Sequence, residues 1–449
     1  MTGDWAALYR QKLVTADEAA KVVKSGDWVE YAFGAAGACA FDEALAKRKG
    51  ELADVKIRCN IGSHRHYTLE SDPRQETFTW HSWHVAGDDR KWIHQGLYYI
   101  PMNFHEVPAM TRQDCLPDNV FVAQVSPMDR HGYFSWGIGA ASAMAAHETA
   151  EITVLEVNKN WPRVLGGGQE CIHISQVDYI FETDRPLPIL DAARPNETDT
   201  RIAAHIIPRL RDGVCIQLGI GGVPDAVGTM IAASDLKDLG VHTEMYANAY
   251  VEMSKAGKIT GRYKNIDRYK QVFSFALGSQ ELYDFINDNP GVVAYQVDYT
   301  NSPAVLASID NFVSINACIE VDLYGQVCSE SVGVRHISGT GGQMDFVIGA
   351  YKSKGGQSFI CTPATKTLKD GTRVSAITPL LTGGAIVTCP RSVIHMIVTE
   401  NGVANLKGKS TWERAEALIA IAHPDFQEEL VRQAEINRIW RRSNKGESL

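Results

Sequence analysis

The sequence predicts an α/β protein made of two related open domains with largely parallel sheets, and three observations carry that prediction. Short apolar runs alternate with helix-like patterns along the whole chain, which is the signature of strands linked by crossover helices. The 449 residues exceed one domain at roughly 100–200 residues each. The chain also repeats itself on either side of a polar, proline-bearing stretch.

The elements follow in order. DWVEYAFG from Asp27 reads as a strand and FDEALAKRKGELADV from Phe41 as the helix after it, and ITVLEV from Ile152 is a second buried strand. Residues 183–201 break the pattern with Pro186, Pro188 and Pro195 among polar residues, and read as a linker between domains at 1–185 and 200–449. Beyond it VCIQLGIGG from Val214 is a strand, VPDAVGTMIAASDLKDL a helix, and FVSINACIEVDLYG from Phe312 another strand. Pairing SGDWVEYAFGAAG with DGVCIQLGIGGVP aligns Gly26 with Gly213 and Gly34 with Gly221. Farther on, Asp129, Gly132 and Ser135 match Asp322, Gly325 and Ser329 in the same order. Near the end, Ser410-Thr-Trp-Glu413 is a capping box that opens a helix, and FQEELVRQAEINRIW is a second helix after a break at Pro424. Trp440 reads as a packing residue.

Composition excludes several classes. With 45% hydrophobic and 22% charged residues the chain is neither disordered nor fibrous. Lys plus Arg total 44 against 53 Asp plus Glu, a net charge of −9, so a dedicated nucleic-acid binder is not expected and an anionic ligand would need a local basic pocket. No run approaches about 18 apolar residues and MTGDWAALYRQK lacks the apolar core of a signal peptide, so no membrane partner and a cytoplasmic location are expected. Nine cysteines without a C-x-x-C pair read as small core residues rather than a disulfide or zinc framework.

Two glycine clusters are candidates for chemistry. Gln217-Leu-Gly219-Ile220-Gly221-Gly222-Val223-Pro224 follows a strand and opens a helix, where backbone can approach a ligand and N–H groups face negative charge. Pro224 occupies the third position of a dinucleotide fingerprint and suits a first helical turn instead, which weakens a nicotinamide site. Ser338-Gly339-Thr-Gly341-Gly342-Gln-Met-Asp345-Phe346 either presents N–H groups to a developing oxyanion or is a tight connecting turn. P-loop, H-E-x-x-H and G-x-S-x-G patterns do not occur. His64, His66, His81, His84 and His94 lack a convincing metal spacing, so no metal is expected and pocket lining or aromatic packing is the better reading. Glu244, one helix beyond the first glycine loop, is placed to meet it past the strand ends; Glu320 is a rival on the same logic.

At this point the residues resemble a known family. TADEAAKVVKSGDWV, VSPMDRHGYF, LEVNKNWPRVLGG, QLGIGGVPDAVG, DLGVHTEMY, SINACIEVDLYGQV, SGTGGQMDFVIGAYKSKGGQSFI and GKSTWERAEALIAIAHPDF are similar to the butyryl-CoA:acetate and 4-hydroxybutyrate CoA-transferases of the acetyl-CoA hydrolase/transferase family. The likeness runs from about residue 12 to the C-terminus. It implies two open domains of the CoA-transferase (NagB/RpiA-like) type, with the active site between them and the nucleophilic glutamate at Glu244 in the second. It also implies Gly341 or Gly342 as oxyanion donor, Gly339 in the same substrate loop, and Gln217 to Pro224 against the acyl or pantetheine portion. Tyr31 falls in a loop facing the acyl group, and YAFGAAGAC from Tyr31 to Cys39 departs from the usual pattern, which leaves the acyl substrate open. Lys352, Lys354, Lys366 and Lys369 are candidates to meet the CoA phosphates.

The implied chemistry is transfer of CoA from a short-chain acyl-CoA such as butyryl-CoA to an acid such as acetate through an acyl-glutamyl anhydride and a glutamyl-CoA thioester. Coenzyme A enters as a substrate, no permanently bound cofactor is needed, and family membership implies a homo-oligomer. The alternatives are a thioester hydrolase on the same scaffold, a transferase for 4-hydroxybutyrate, propionate or itaconate, a silent CoA-binding protein, and a dinucleotide oxidoreductase.

Overall fold

The computed structural model describes residues 4–59, 61, 65–115, 118–191 and 194–440, so His64 lies outside the described residues. A seven-stranded parallel sheet has the order Tyr179–Thr183, Ile152–Asn158, Val120–Val125, Trp28–Tyr31, Val55–Cys59, Phe78–Ser82, Leu97–Tyr99. A six-stranded sheet has the order Gly240–Val241, Cys215–Leu218, Phe312–Ala317, Gln357–Cys361, Met396–Thr399, Gly402–Asn405, with only the last strand antiparallel. Central strands such as VFVAQV at 120–125 are buried along their whole length, as expected for a parallel sheet covered on both faces.

The repeat read from the sequence is carried by the structure. When Trp28–Tyr31 is laid on Cys215–Leu218, five successive strands of one sheet meet five of the other in the same spatial order. Gly26 (φ 89°) and Gly213 (φ 75°) turn the chain into these matched strands, each in the left-handed region that favours glycine. The Asp-x-x-Gly turns match atom for atom. Asp129 Oδ1 accepts from the N–H groups of His131 and Tyr133, Asp322 Oδ1 accepts from those of Tyr324 and Gln326, and Gly132 and Gly325 share φ 88°.

The two halves share a core. One continuous cluster of buried side chains runs from Phe121 and Trp136 through Tyr246 to Val313 and Val398. Leu165–Gly166, from the first half, pairs with Val292–Ala294, which pairs with Gln271–Phe273 of the second. The linker lies across the second half: Leu190 N–H donates to Gly278 O at 3.0 Å and Tyr283 Oη to Pro188 O at 2.6 Å. It is shorter than the composition suggests, because Asn196 and Asp199 form a capping box that starts a helix at Glu197–Ile206. At the far end, the Ser410–Glu413 box caps Thr411–Ala420, Pro424 occupies the first turn of Pro424–Ile436, and Trp440 packs against this pair. Five of the nine cysteines are buried, in keeping with small core residues.

Candidate active site

The carboxyl ends of the second sheet's strands provide the floor of the site, where open α/β sheets gather functional groups. Gln217 and Asn316, on adjacent strands, exchange two amide hydrogen bonds of 3.0 Å, which fixes both side chains. Gly219 N–H continues the ladder to Ile315 O at 2.8 Å, and a Cβ there would stand 2.9 Å from Asn316 Oδ1. Gly221 (φ 118°) turns the chain into the helix Gly222–Ala233, with Gly222 against the Asp199 carboxylate and Pro224 in the first turn.

Glu244 occupies the bend between the short strands Gly240–Val241 and Met245–Tyr246. Its carbonyl accepts from the N–H groups of Ser274 and Phe275 at 3.0 and 3.1 Å. Next to it, Thr243 Oγ1 accepts at 3.0 Å from Tyr250 Oη, which itself accepts from Leu218 N–H at 2.7 Å, so the bend is tied to the floor strand. The Glu244 carboxylate is only partly exposed. Oε2 accepts from Asn301 Nδ2 at 2.6 Å, and the carboxylate also accepts from Gly342 N–H at the start of the helix Gln343–Lys352. Burial outweighs both donors, and with Asp345 adding like charge the carboxyl is pushed from its ordinary 4.5 to about 7.

Gly342 is the tightest glycine of the two loops: a Cβ there would overlap both Glu244 Oε2 and Asn301 Nδ2. The first half of the chain clamps the loop that carries it. Arg90 Nε donates to Ile337 O at 2.7 Å, Ser338 Oγ lies 3.0 Å from His84 Nε2, and Thr340 N–H donates to Tyr99 Oη at 2.9 Å. Phe104 N–H donates to Gly341 O at 3.1 Å, and His105 Nδ1 lies 2.7 Å from Asp345 Oδ1. Burial holds His84 down to about 4, so it is neutral at pH 7.

These parts enclose a cavity of about 190 Å³ between the halves. It brings together Gln217, Gly219, Ile220, Glu244, Gly339, Gly341 and Gly342, all singled out in the sequence, with His84 contributed by the first half. Gly221 lines a smaller adjoining cavity, whereas Gly222, Val223 and Pro224 pack into the helix start without lining either. Asn301 was missed. It ends the short helix Val297–Thr300 and reaches Glu244 across 57 positions, with no local pattern to mark it.

Tyr31, Glu320 and the four candidate lysines, Lys352, Lys354, Lys366 and Lys369, do not line the cavity. Tyr31 is fully buried in the first core, packed on Phe41 and Trp80 and donating to Asp42 Oδ1 at 3.2 Å. The strand ends at Tyr31, and it is Phe33, just beyond, that reaches the domain junction, 4.7 Å from the Phe104 ring and 4.5 Å from the Phe275 ring. Lys352 is exposed at the carboxyl end of its helix, about 15 Å along the axis from Gly342, where a cation complements the helix dipole. Lys366 sits on a hairpin, 4.0 Å from Glu320. The rival Glu320 is absent from the cavity lining because its carboxylate is taken up by Thr382, at 2.9 Å from Oγ1 and 3.1 Å from the N–H. Among the described residues no group of three or more His, Cys, Asp or Glu could hold a metal ion, and no helix is long and apolar enough to cross a membrane.

The acetyl-CoA hydrolase/transferase N-terminal domain matches residues 3–191 and the corresponding C-terminal domain residues 278–434. A probable butyrate:acetyl-CoA coenzyme A-transferase of Syntrophomonas wolfei is 66% identical over 97% of this chain and 98% of its own length. The chain belongs to the acetyl-CoA hydrolase/transferase family. Another member, the butyryl-CoA:acetate CoA-transferase of Anaerostipes caccae, is 51% identical over 97% of this chain and 99% of that one. The crystal structure of RipA from Yersinia pestis superposes with a TM-score of 0.90 at 37% identity, covering 97% of this chain and 100% of that one. Glu244 and the 217–224 loop fall between the two matched family domains but within the span of these near full-length relatives.

Proposed function

We propose that this member of the family is an acyl-CoA:carboxylate CoA-transferase that moves CoA from butyryl-CoA to acetate by a ping-pong mechanism through Glu244. The observation that carries the reading is a carboxylate held at the wall of an interdomain cavity by two donors, Asn301 Nδ2 and Gly342 N–H. The named activities of the Syntrophomonas and Anaerostipes relatives support the acyl pair.

In the proposed sequence a Glu244 oxygen attacks the thioester carbonyl, the C–S bond breaks and CoA leaves as thiolate, giving an acyl-glutamyl anhydride. The thiolate then attacks the side-chain carbonyl carbon of Glu244. The carbonyl oxygen becomes an oxyanion where Asn301 Nδ2 and Gly342 N–H already point, and the acid leaves as its carboxylate. Acetate reverses both steps on the glutamyl-CoA thioester. No net proton moves, and every bond is exchanged between carboxylate and thiolate, so coenzyme A is a substrate and no resident cofactor enters.

The partial burial of Glu244 removes water that would otherwise solvate a weak nucleophile and hydrolyse the anhydride. The test mixes butyryl-CoA and acetate with the enzyme, with Glu244→Ala, and without acetate, and follows acyl-CoA by mass spectrometry. Acetyl-CoA formed only with acetate and intact Glu244 supports transfer. Free CoA released without acetate replaces it with hydrolysis, and CoA binding without turnover of any acyl pair replaces it with a silent binder.

A further inference from the structure

The segment 103–106 of the first half docks on the amino end of the helix Gln343–Lys352, and its contacts converge one turn from Glu244. Phe104 N–H holds Gly341 O at 3.1 Å, His105 N–H holds Asp345 Oδ2 at 3.2 Å, and His105 Nδ1 lies 2.7 Å from Asp345 Oδ1. The Asp345 side chain is 2% exposed and that of His105 27%. Asp345 is therefore a buried carboxyl group in the turn that supplies Gly342 N–H, and His105 is its hydrogen-bonded partner.

Asp345 has two opposed effects on Glu244. As an anion in the first turn it favours the helix end that presents Gly342 N–H. As an anion near Glu244 it works against a second negative charge there.

We propose that His105 and Asp345 are positioning residues for Glu244: the imidazolium pins the first turn of the helix and offsets the charge that Asp345 places beside the nucleophile. The inference rests on Glu244 being the group that reacts. The charged and titratable groups around it are few. His105 also faces Glu106 and Asp298, and Asp298 in turn faces Arg112 and Glu148. Asp345 faces His105, Glu106 and the buried Cys389 thiol, and Glu244 faces Asn301, Gly342 N–H and Asp345. Burial works against it, but the hydrogen bond and charge of Asp345, with Glu106 and Asp298, raise the His105 imidazole above its ordinary 6.5, which favours its protonated form.

The signs differ between the two partners, which separates this role from simple packing. Removing the cation in His105→Gln leaves Asp345 unbalanced, disfavours the Glu244 carboxylate and moves the acid limb of kcat/KM to higher pH. Removing the anion in Asp345→Asn moves that limb to lower pH. A displacement of about half a pH unit reads as a roughly threefold rate change at a fixed pH below the limb.

The experiment measures kcat/KM for butyryl-CoA against pH for both variants, with the mass of each protein after exposure to acyl-CoA recorded in parallel. Opposite displacements support the inference. Limbs that stay in place, or move in the same direction, overturn it. If His105→Gln does not fold, Asp345→Asn decides alone, a lower limb supporting and an unmoved or higher limb overturning. A CoA adduct on Glu244 with unmoved limbs overturns only this inference, whereas a missing adduct in the unaltered enzyme overturns the role of Glu244 itself.

Discussion

Asn301 Nδ2 lies 2.6 Å from Glu244 Oε2, a bond between a short helix and a strand-end bend 57 residues apart. In the proposed reaction that donor faces the oxyanion formed when thiolate attacks the glutamyl carbonyl. Asn301→Ala is expected to lower kcat by about 10²–10³ with a much smaller change in KM, as for loss of one oxyanion donor. Steady-state kinetics with butyryl-CoA and acetate checks it, and an unchanged kcat sinks the assignment.

Gly342→Ala places a methyl group in the space shared by Glu244 Oε2 and Asn301 Nδ2. The backbone there has φ −95°, which alanine adopts without strain, so the fold is expected to survive while the carboxylate is displaced. Activity is expected to fall at least about 10²-fold, the scale of a lost oxyanion donor, with far-ultraviolet circular dichroism unchanged. Full activity in the Gly342→Ala variant would show that the close approach is dispensable.

In the proposed reaction the attacking form of Glu244 is the carboxylate, and its pKa is raised to about 7 chiefly by burial. Below that pH the protonated form accumulates, so kcat/KM is expected to fall about tenfold per pH unit on the acid side and to level off above about 7. A pH profile that is flat between about 5 and about 7 would contradict a nucleophile of this kind.

The same shift carries a stability consequence of opposite sign to a salt-bridged acid. Between its ordinary 4.5 and its folded value of about 7, the folded chain binds more protons at this site than the unfolded one, so stability declines as pH rises through that window. At pH 8 the ionised Glu244 costs about 3 kcal/mol. Glu244→Gln, which keeps the shape without the charge, is expected to raise Tm at pH 8 and to leave it unchanged near pH 4.5. Melting curves at both values check the sign.

Features written in short stretches of sequence were legible. The glycine loops, the capping box at Ser410, the helix start at Pro224 and the paired Asp-x-x-Gly turns each depend on neighbours within a few residues, and each lies where the pattern put it. Glu244 was singled out by its distance from a glycine loop and by resemblance, and it lines the cavity. What escaped depends on contacts between distant segments. Asn301, His105 and Tyr99 act on residues 57 to 241 positions away, and nothing nearby distinguishes them from surface polar groups. Tyr31 was placed in the wrong company because a strand's last residue and the residue two beyond it face different surroundings once the chain turns. The lysines show the remaining limit: a run of cations has no direction in a sequence, and here Lys352 stands at the far end of its helix while Lys366 approaches a buried acid.

The matched strand order of the two halves divides the labour between them. The turn after Cys215–Leu218 lines the cavity through Gly219 and Ile220, whereas its counterpart after Trp28–Tyr31 sends Phe33 into the junction against Phe275. One copy of the architecture holds the Glu244 carboxylate and its two donors; the other supplies the clamp and part of the wall. Changes to the clamping copy can therefore reset the posture of the loop that carries Gly342 without altering Glu244 itself, so in a duplicated scaffold one half can tune the other from outside.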